Sequence, residues 1–271
     1  MKRVGIPVLI SALLLVALVG CSTDAGTGKP LEENRLVIGV TAGPHEQIME
    51  KVKEVAAEDG LEIDIKVFND YPMVNIALAE GELDVNSFQH EPYLEQVKKD
   101  KNLDLVAIAD TVNFPMGIYS NQIKDVKQLK KGDKIGLPND PTNGARALLL
   151  FERAGLIKLK EGVGVDATVN DIAENPLDLE LVELEAAQIP RQLDEFAAAA
   201  INTNFAVEHG FLPSRDAIFM EPEDSPWVNV LAVRTENKED PVLEKLINAY
   251  QSEEVKQFVE ETFKGSVVPS W

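Results

Sequence analysis

The chain has 271 residues, 45% of them hydrophobic, and carries 26 basic against 46 acidic side chains for a formal charge of −20. So acidic a balance repels nucleic acid and anionic lipid, which argues against a nucleic-acid binder or a surface protein held by charge. The single cysteine forms no internal disulfide, so the fold must stand on its core.

Lys2 and Arg3 precede an apolar stretch from Val8 to Val19 and then Gly20, the pattern of a secretory signal over residues 1–20. The stretch is shorter than the roughly 20 apolar residues a membrane span needs. Leu18-Val19-Gly20-Cys21 resembles the bacterial lipobox, so Cys21 is expected to be lipidated once residues 1–20 are removed. A chance free cysteine behind an ordinary signal is the competing reading. Removal takes away two basic and no acidic residues and leaves 24 basic against 46 acidic, formally −22. Attachment must then come from acyl chains, of which one alone binds only marginally. Residues 21–34 read as a lipidated, flexible, Gly-containing tether. The folded body is expected from Arg35, about 235 residues, enough for one large domain or two lobes.

Along the body, Leu36–Thr41 predicts a buried strand, and Gly43-Pro44-His45 turns into a helix with Ile48, Val52, Val55 and Ala56 at helical spacing. Glu62–Phe68 alternates as a second strand. A helix around Asn75–Ala79, a short strand at Leu83–Val85, a helix begun near Pro92 and a strand at Leu103–Ala109 continue the series. The alternation predicts an α/β fold with a largely parallel sheet covered by helices. The pattern restarts with a strand at Lys134–Leu137 and a loop feeding a helix over Ala145–Ala154. Further strands are expected at Leu179–Leu184 and Ala197–Ile201. Two amphipathic tail helices open at Asp240-Pro241 and at Ser252. Two α/β units result, crossing near Val112–Ser120 and Pro226–Val233. The expected division is 35–114 for the first lobe, 115–229 for the second and 230–271 for the return to the first, with a cleft between.

Catalytic constellations are thin. The chain has no Gly-x-Ser-x-Gly elbow, phosphate loop, His-Glu-x-x-His or paired cysteines. A metal site would have to use His45, His90 and His209, every histidine present. No cofactor is expected. The informative stretches are polar or aromatic segments after predicted strands, where open α/β sheets place ligand crevices. These are Phe68–Tyr71, Asn86–Tyr93, Asn139–Arg146, Asn202–Asn204 and Ser225–Asn229. Arg146, read as lying in the first turn of its helix, suits a carboxylate ligand held by two parallel hydrogen bonds. The competing reading pairs it with Asp140 or Glu152 at the surface. Tyr71, Phe88, His90 and Tyr93 form a candidate box for an apolar side chain, although aromatics so placed are more often core. Asn202 and Asn229 could hold an ammonium or a carboxylate, or could simply satisfy turns.

The runs Phe88-Gln89-His90-Glu91-Pro92-Tyr93-Leu94, Pro138-Asn139-Asp140-Pro141-Thr142-Asn143 and Ser225-Pro226-Trp227-Val228-Asn229, with the lipobox, resemble the NlpA-type methionine-binding lipoproteins, receptors of methionine-uptake ABC transporters. The resemblance runs almost end to end. It implies a two-lobed periplasmic-binding-protein fold, type II-like, closing on one amino acid without covalent chemistry. By matched position, Arg146 would hold the carboxylate, with Asn202 and Asn229 helping to fix the amino-acid head group, and Asn143 is a further expected ligand-binding residue. Tyr71, Phe88, His90 and Tyr93 would line the side-chain pocket. The implied partners are L-methionine, an ABC permease and a bacterial cell membrane reached through the lipid, with the body extracytoplasmic and a monomer expected. D-methionine, a methionine dipeptide or another apolar amino acid are the alternative ligands. Two positions depart from the family pattern: Val74 stands in place of a proline, and Trp227 in place of a common tyrosine, which is expected to alter pocket shape.

Overall fold

Leu36, Ile38 and Val40 alternate along the first strand and are fully buried, which fixes one face of a sheet against a helical layer. The computed structural model describes residues 30–222 and 225–271. The signal, Cys21 and the tether as far as Lys29 lie outside the described residues. The first lobe runs β1 (Arg35–Thr41), α1 (Pro44–Glu58), β2 (Glu62–Phe68), α2 (Pro72–Ala79), β3 (Val85–His90), α3 (Glu91–Lys101) and β4 (Leu105–Asn113). In α1, Ile48, Met49, Val52 and Ala56 are buried along one stripe. Burial of each of the three larger side chains contributes about 1.5–3 kcal/mol before entropy is counted. Pro44 opens the helix at a position where its missing N–H costs nothing.

The second lobe runs β5 (Gly117–Tyr119), β6 (Lys134–Pro138), α4 (Pro141–Arg153), β7 (Lys158–Leu159), β8 (Ile172–Glu174), β9 (Glu180–Leu184), β10 (Ala198–Ile201), α5 (Thr203–Glu208), α6 (Pro213–Asp216) and β11 (Phe219–Met220). The chain then returns through β12 (Val228–Arg234), α7 (Val242–Tyr250), α8 (Glu253–Phe263) and β13 (Val268–Pro269). Leu31, ahead of β1, already packs into the core beneath α7, its N–H donating to Asp240 at 3.2 Å.

Six strands form one sheet in the order β13-β4-β12-β3-β1-β2, and five form another in the order β11-β5-β10-β6-β9. Neither is largely parallel, contrary to the expectation from alternation. Strand β1 is parallel to β2 and β3, but β12 enters antiparallel between β3 and β4, and β13 is antiparallel to β4. The reason is the return crossing: β12 arrives from the other lobe and so runs against its neighbours. In the second sheet, likewise, β5 opposes β10 and β11.

Several elements differ from the sequence expectation: β4 runs to Asn113 rather than Ala109, α2 starts at Pro72, and most of the crossing expected at Pro226–Val233 is β12. Two more differences bear on the site. The strand expected at Leu83–Val85 is β3, Val85–His90, and the segment read as a loop from Asn86 to His90 is a strand buried along its whole length. Its polar side chains are satisfied internally: Asn75 donates to Gln89 at 2.7 Å, Asn86 donates to Asn75 at 2.8 Å, and Gln89 donates to Asn86 at 2.9 Å. The helix expected from Ala145 begins at Pro141, because the Asp140 carboxylate caps it by accepting from the Asn143 N–H at 2.9 Å. Arg146 therefore sits beyond the first turn, outside the reach of the helix-terminus argument made for it.

The two lobes meet through a shared core in which Tyr71, Phe88 and Tyr93 of the first pack with Ile201 and Phe205 of the second. Among the described residues, no helix is long and apolar enough to cross a membrane.

Candidate functional site

A cavity lies between the sheets where β3 ends and β12 begins, beside the start of α4 and α5. Its empty space, about 330 Å³ counting what is open to solvent, is lined by His45, Tyr71, Phe88, Gln89, His90, Tyr93, Phe114, Asn143, Arg146, Asn202, Thr203, Asn204 and Asn229. All eight residues singled out in the sequence line it. Gln89, Phe114, Thr203 and Asn204 were not singled out, and His45 was considered only as a metal ligand.

The aromatic wall is built by edge contacts. Tyr71 stands 5.6 Å from Tyr93, and Phe88 stands 6.0 Å from Tyr93, both edge-on, with Tyr71 and Phe88 tilted at 5.7 Å. Across the cleft, Tyr71 lies 4.9 Å from Phe205, and its hydroxyl donates to Asn204 Oδ1 at 2.7 Å. Burial pushes the Tyr71 and Tyr93 hydroxyls well above the ordinary phenol range, so both stay protonated.

The polar wall is held by neutral imidazoles. His90 Nδ1 accepts from the Tyr93 N–H at 3.1 Å, so the proton lies on Nε2, which donates to Asn143 Oδ1 at 3.2 Å. Asn202 Nδ2 donates to the same Asn143 oxygen at 2.8 Å, while Asn143 Nδ2 donates to Asp140. On the other side, Asn229 Nδ2 donates to His45 Nε2 at 2.9 Å and His45 Nδ1 donates to the Thr41 hydroxyl at 2.8 Å. Burial lowers both histidines to about 3, for His90 with help from the nearby Arg146 charge. Burial raises the Asp140 carboxyl, against the opposing pull of its bonds from Asn143.

Arg146 is buried and pairs with neither Asp140 nor Glu152. Its Nε donates to both Glu221 oxygens at 2.9 and 3.1 Å, and its Nη2 donates to Glu221 at 2.5 Å and to the Phe114 carbonyl at 2.7 Å. The edge of the guanidinium expected to grip a ligand with two bonds is thus occupied by Glu221. Nη1 has no partner among the described residues. Trp227 packs 5.3 Å over the guanidinium and 5.1 Å from the His90 ring. It lies behind the polar wall and does not line the cavity, and Val74 lies fully buried within α2.

Two buried polar atoms of the lining, Asn202 Oδ1 and Asn204 Nδ2, have no partner among the described residues. Asn202 stands at the N-cap of α5 yet its side chain caps nothing, having turned toward Asn143. An unsatisfied buried acceptor and donor each cost about 1–3 kcal/mol, so the cavity is built for a ligand with both a donor and an acceptor. Aromatic surface on the opposite wall calls for an apolar remainder.

The three histidines do not converge. His209 sits past the end of α5, its ring bonded to the Phe205 carbonyl, and is not part of the cavity. Among the described residues, no group of three or more His, Cys, Asp or Glu side chains could hold a metal ion.

Residues 36–271 match the NlpA lipoprotein family. A relative from Escherichia coli K12, the D-methionine-binding lipoprotein MetQ, is 43% identical over 259 residues, covering 94% of each chain. The structure of a nutrient-binding protein from Burkholderia cenocepacia bound to methionine superposes with a TM-score of 0.85 at 46% identity, covering 87% of this chain and all of that one. A periplasmic substrate-binding protein of an ABC transporter from Coxiella burnetii superposes with a TM-score of 0.84 at 45% identity, covering 87% of this chain. The fold is accordingly the two-lobed one of periplasmic substrate-binding proteins, and the chain is a binding protein and not an enzyme. By sequence and by fold, it belongs to the NlpA lipoprotein family.

Proposed function

We propose that this chain is the receptor of an ABC transporter, capturing methionine between its lobes and delivering it to the permease from a lipid anchor at Cys21. The carrying observation is the pairing of Asn202 Oδ1 and Asn204 Nδ2, both buried without a protein partner, with an aromatic wall across the same cavity. In this reading Arg146 Nη1 and Asn204 take the ligand carboxylate, while Asn202, oriented by Asn143, and Asn229, oriented by His45, accept from the ammonium. Tyr71, Phe88, His90 and Tyr93 enclose the thioether, where sulfur–aromatic contacts are worth about 0.3–1.5 kcal/mol each. The lobes are residues 35–114 with 230–271, and 115–229. The protein acts as a monomer on the outer face of the membrane, where the tether keeps the receptor at high effective concentration near its permease.

Relatives named for D-methionine favour a pocket that takes either enantiomer. Mass spectrometry with chiral chromatography of the small molecule released on denaturing the purified protein tests the proposal. L- or D-methionine is expected, and a metal ion or a ligand without an amino-acid head group would overturn it.

A further inference from the structure

The cavity contains one permanent positive charge, and that charge is already balanced. Arg146 and Glu221 are 3% and 8% exposed at their side chains and meet at 2.5 Å, far too deep for water to screen them. Glu221 is itself held in place: its carboxylate accepts from the Met116 N–H at 2.8 Å, and its own N–H donates to the Met116 carbonyl at 2.9 Å. It cannot swing away when a ligand arrives without breaking both the ion pair and its bond to the crossing segment. The other groups of the polar wall are amides and neutral imidazoles.

We infer that Glu221 is a specificity-determining residue that makes the pocket select a net-neutral, zwitterionic ligand over an anion of the same shape. The inference rests on the methionine reading of the site. A carboxylate arriving alone would leave one buried negative charge uncompensated, because Arg146 cannot neutralise two carboxylates at once. A carboxylate arriving with its own ammonium adds no net charge, and the ammonium is met by Asn202 Oδ1. The arrangement thus reads the amino group twice, by a hydrogen bond and by charge balance. Glu221 touches no ligand in this scheme and acts through Arg146.

The test compares L-methionine with its des-amino analogue γ-methylthiobutyrate by calorimetry at neutral pH on protein stripped of ligand by unfolding and refolding. Native protein is expected to prefer methionine by about 100-fold or more, and Glu221→Gln to narrow that ratio by at least about tenfold. Glu221→Asp, which keeps the charge, is expected to preserve the ratio even if both affinities fall. A Glu221→Gln ratio equal to the native one would overturn the inference, since a loss of positioning alone weakens both ligands together. A native ratio below about tenfold would overturn it without any variant. If the native protein binds neither ligand, the methionine reading beneath it fails as well, a result distinct from methionine binding without discrimination.

Discussion

Arg146 and Glu221, 75 residues apart in the chain, form a buried ion pair at the point where both interlobe crossings pass. Arg146 reaches the Phe114 carbonyl of the first crossing, and Glu221, at the head of the second, receives the Met116 N–H of the first. The residue proposed to seat the ligand is therefore fastened to the segments that join the lobes. Removing one partner strands the other charge. Arg146→Ala is expected to destabilise the protein by about 3–5 kcal/mol in urea denaturation, and the double replacement Arg146→Met with Glu221→Leu to recover most of that loss. Equal losses in the single and double variants would show that the pair is not what holds the crossings.

The Tyr71 hydroxyl bridges the cleft to Asn204. Tyr71→Phe deletes that bond and leaves the Asn204 amide short of a second partner, with the ring contacts to Phe88, Tyr93 and Phe205 retained. Ligand-free stability is expected to fall by about 1–3 kcal/mol, because Asn204 Oδ1 loses its donor, and methionine affinity by about five- to tenfold. An unchanged Kd would mean that the bridge contributes nothing to holding the lobes together over the ligand.

His45 and His90 are both held neutral, with folded-state values of about 3 against an ordinary 6.5. As pH falls below 6.5 the unfolded chain takes up protons that the folded chain refuses, so the folded state loses ground. The stabilisation is fully present above that value and declines as pH falls toward 3, at up to about 1.4 kcal/mol per pH unit for each histidine. Urea denaturation between about pH 7 and pH 5, above most carboxylate titration, is expected to show this slope, and His45→Gln to remove roughly half of it. A flat native profile over that window would contradict the assignment of neutral imidazoles.

Gly43 turns the chain into α1 at φ 86° and ψ −133°, a conformation open to glycine almost alone. A Cβ there would lie 3.2 Å from the Asn204 backbone carbonyl. Gly43→Ala is expected to cost about 1–3 kcal/mol of stability and to weaken ligand binding, because the strain falls on the residue whose amide faces the cavity. Calorimetric melting and titration of one preparation separate the two effects.

Much of this architecture is legible in the sequence wherever the signal is local. The alternation of Ile63, Ile65 and Val67 marks β2, and Asp240-Pro241 and Ser252 mark the starts of the tail helices. Reading fails where the deciding partner is distant. Asn86, Gln89 and His90 look like loop residues until Asn75, Asn143 and the Tyr93 amide are seen to satisfy them, which is what allows β3 to be a central buried strand. The mixed direction of the first sheet depends on where β12 inserts after a whole lobe has intervened. Helix α4 is a different case, since Asp140-Pro141 is a capping signal present in the sequence and the helix could have been started there. Within the cavity, Arg146 and the aromatic run stand out by residue type. Glu221 and Asn204 do not, because an acid in a loop and an asparagine at the second position of a helix acquire their meaning only from Arg146 and Tyr71 across the fold.

The central claim is that the cavity binds methionine through Arg146 and the unsatisfied amides of Asn202 and Asn204. Titration calorimetry of the refolded, ligand-free body, residues 30–271, with L-methionine tests it most directly. One-to-one binding is expected, abolished by Arg146→Ala and weakened by about 10-fold or more in Asn202→Ala, which removes a buried acceptor of the lining that has no donor among the described residues. Absence of binding to either methionine enantiomer by a folded native protein, or full affinity in Arg146→Ala, would contradict the account.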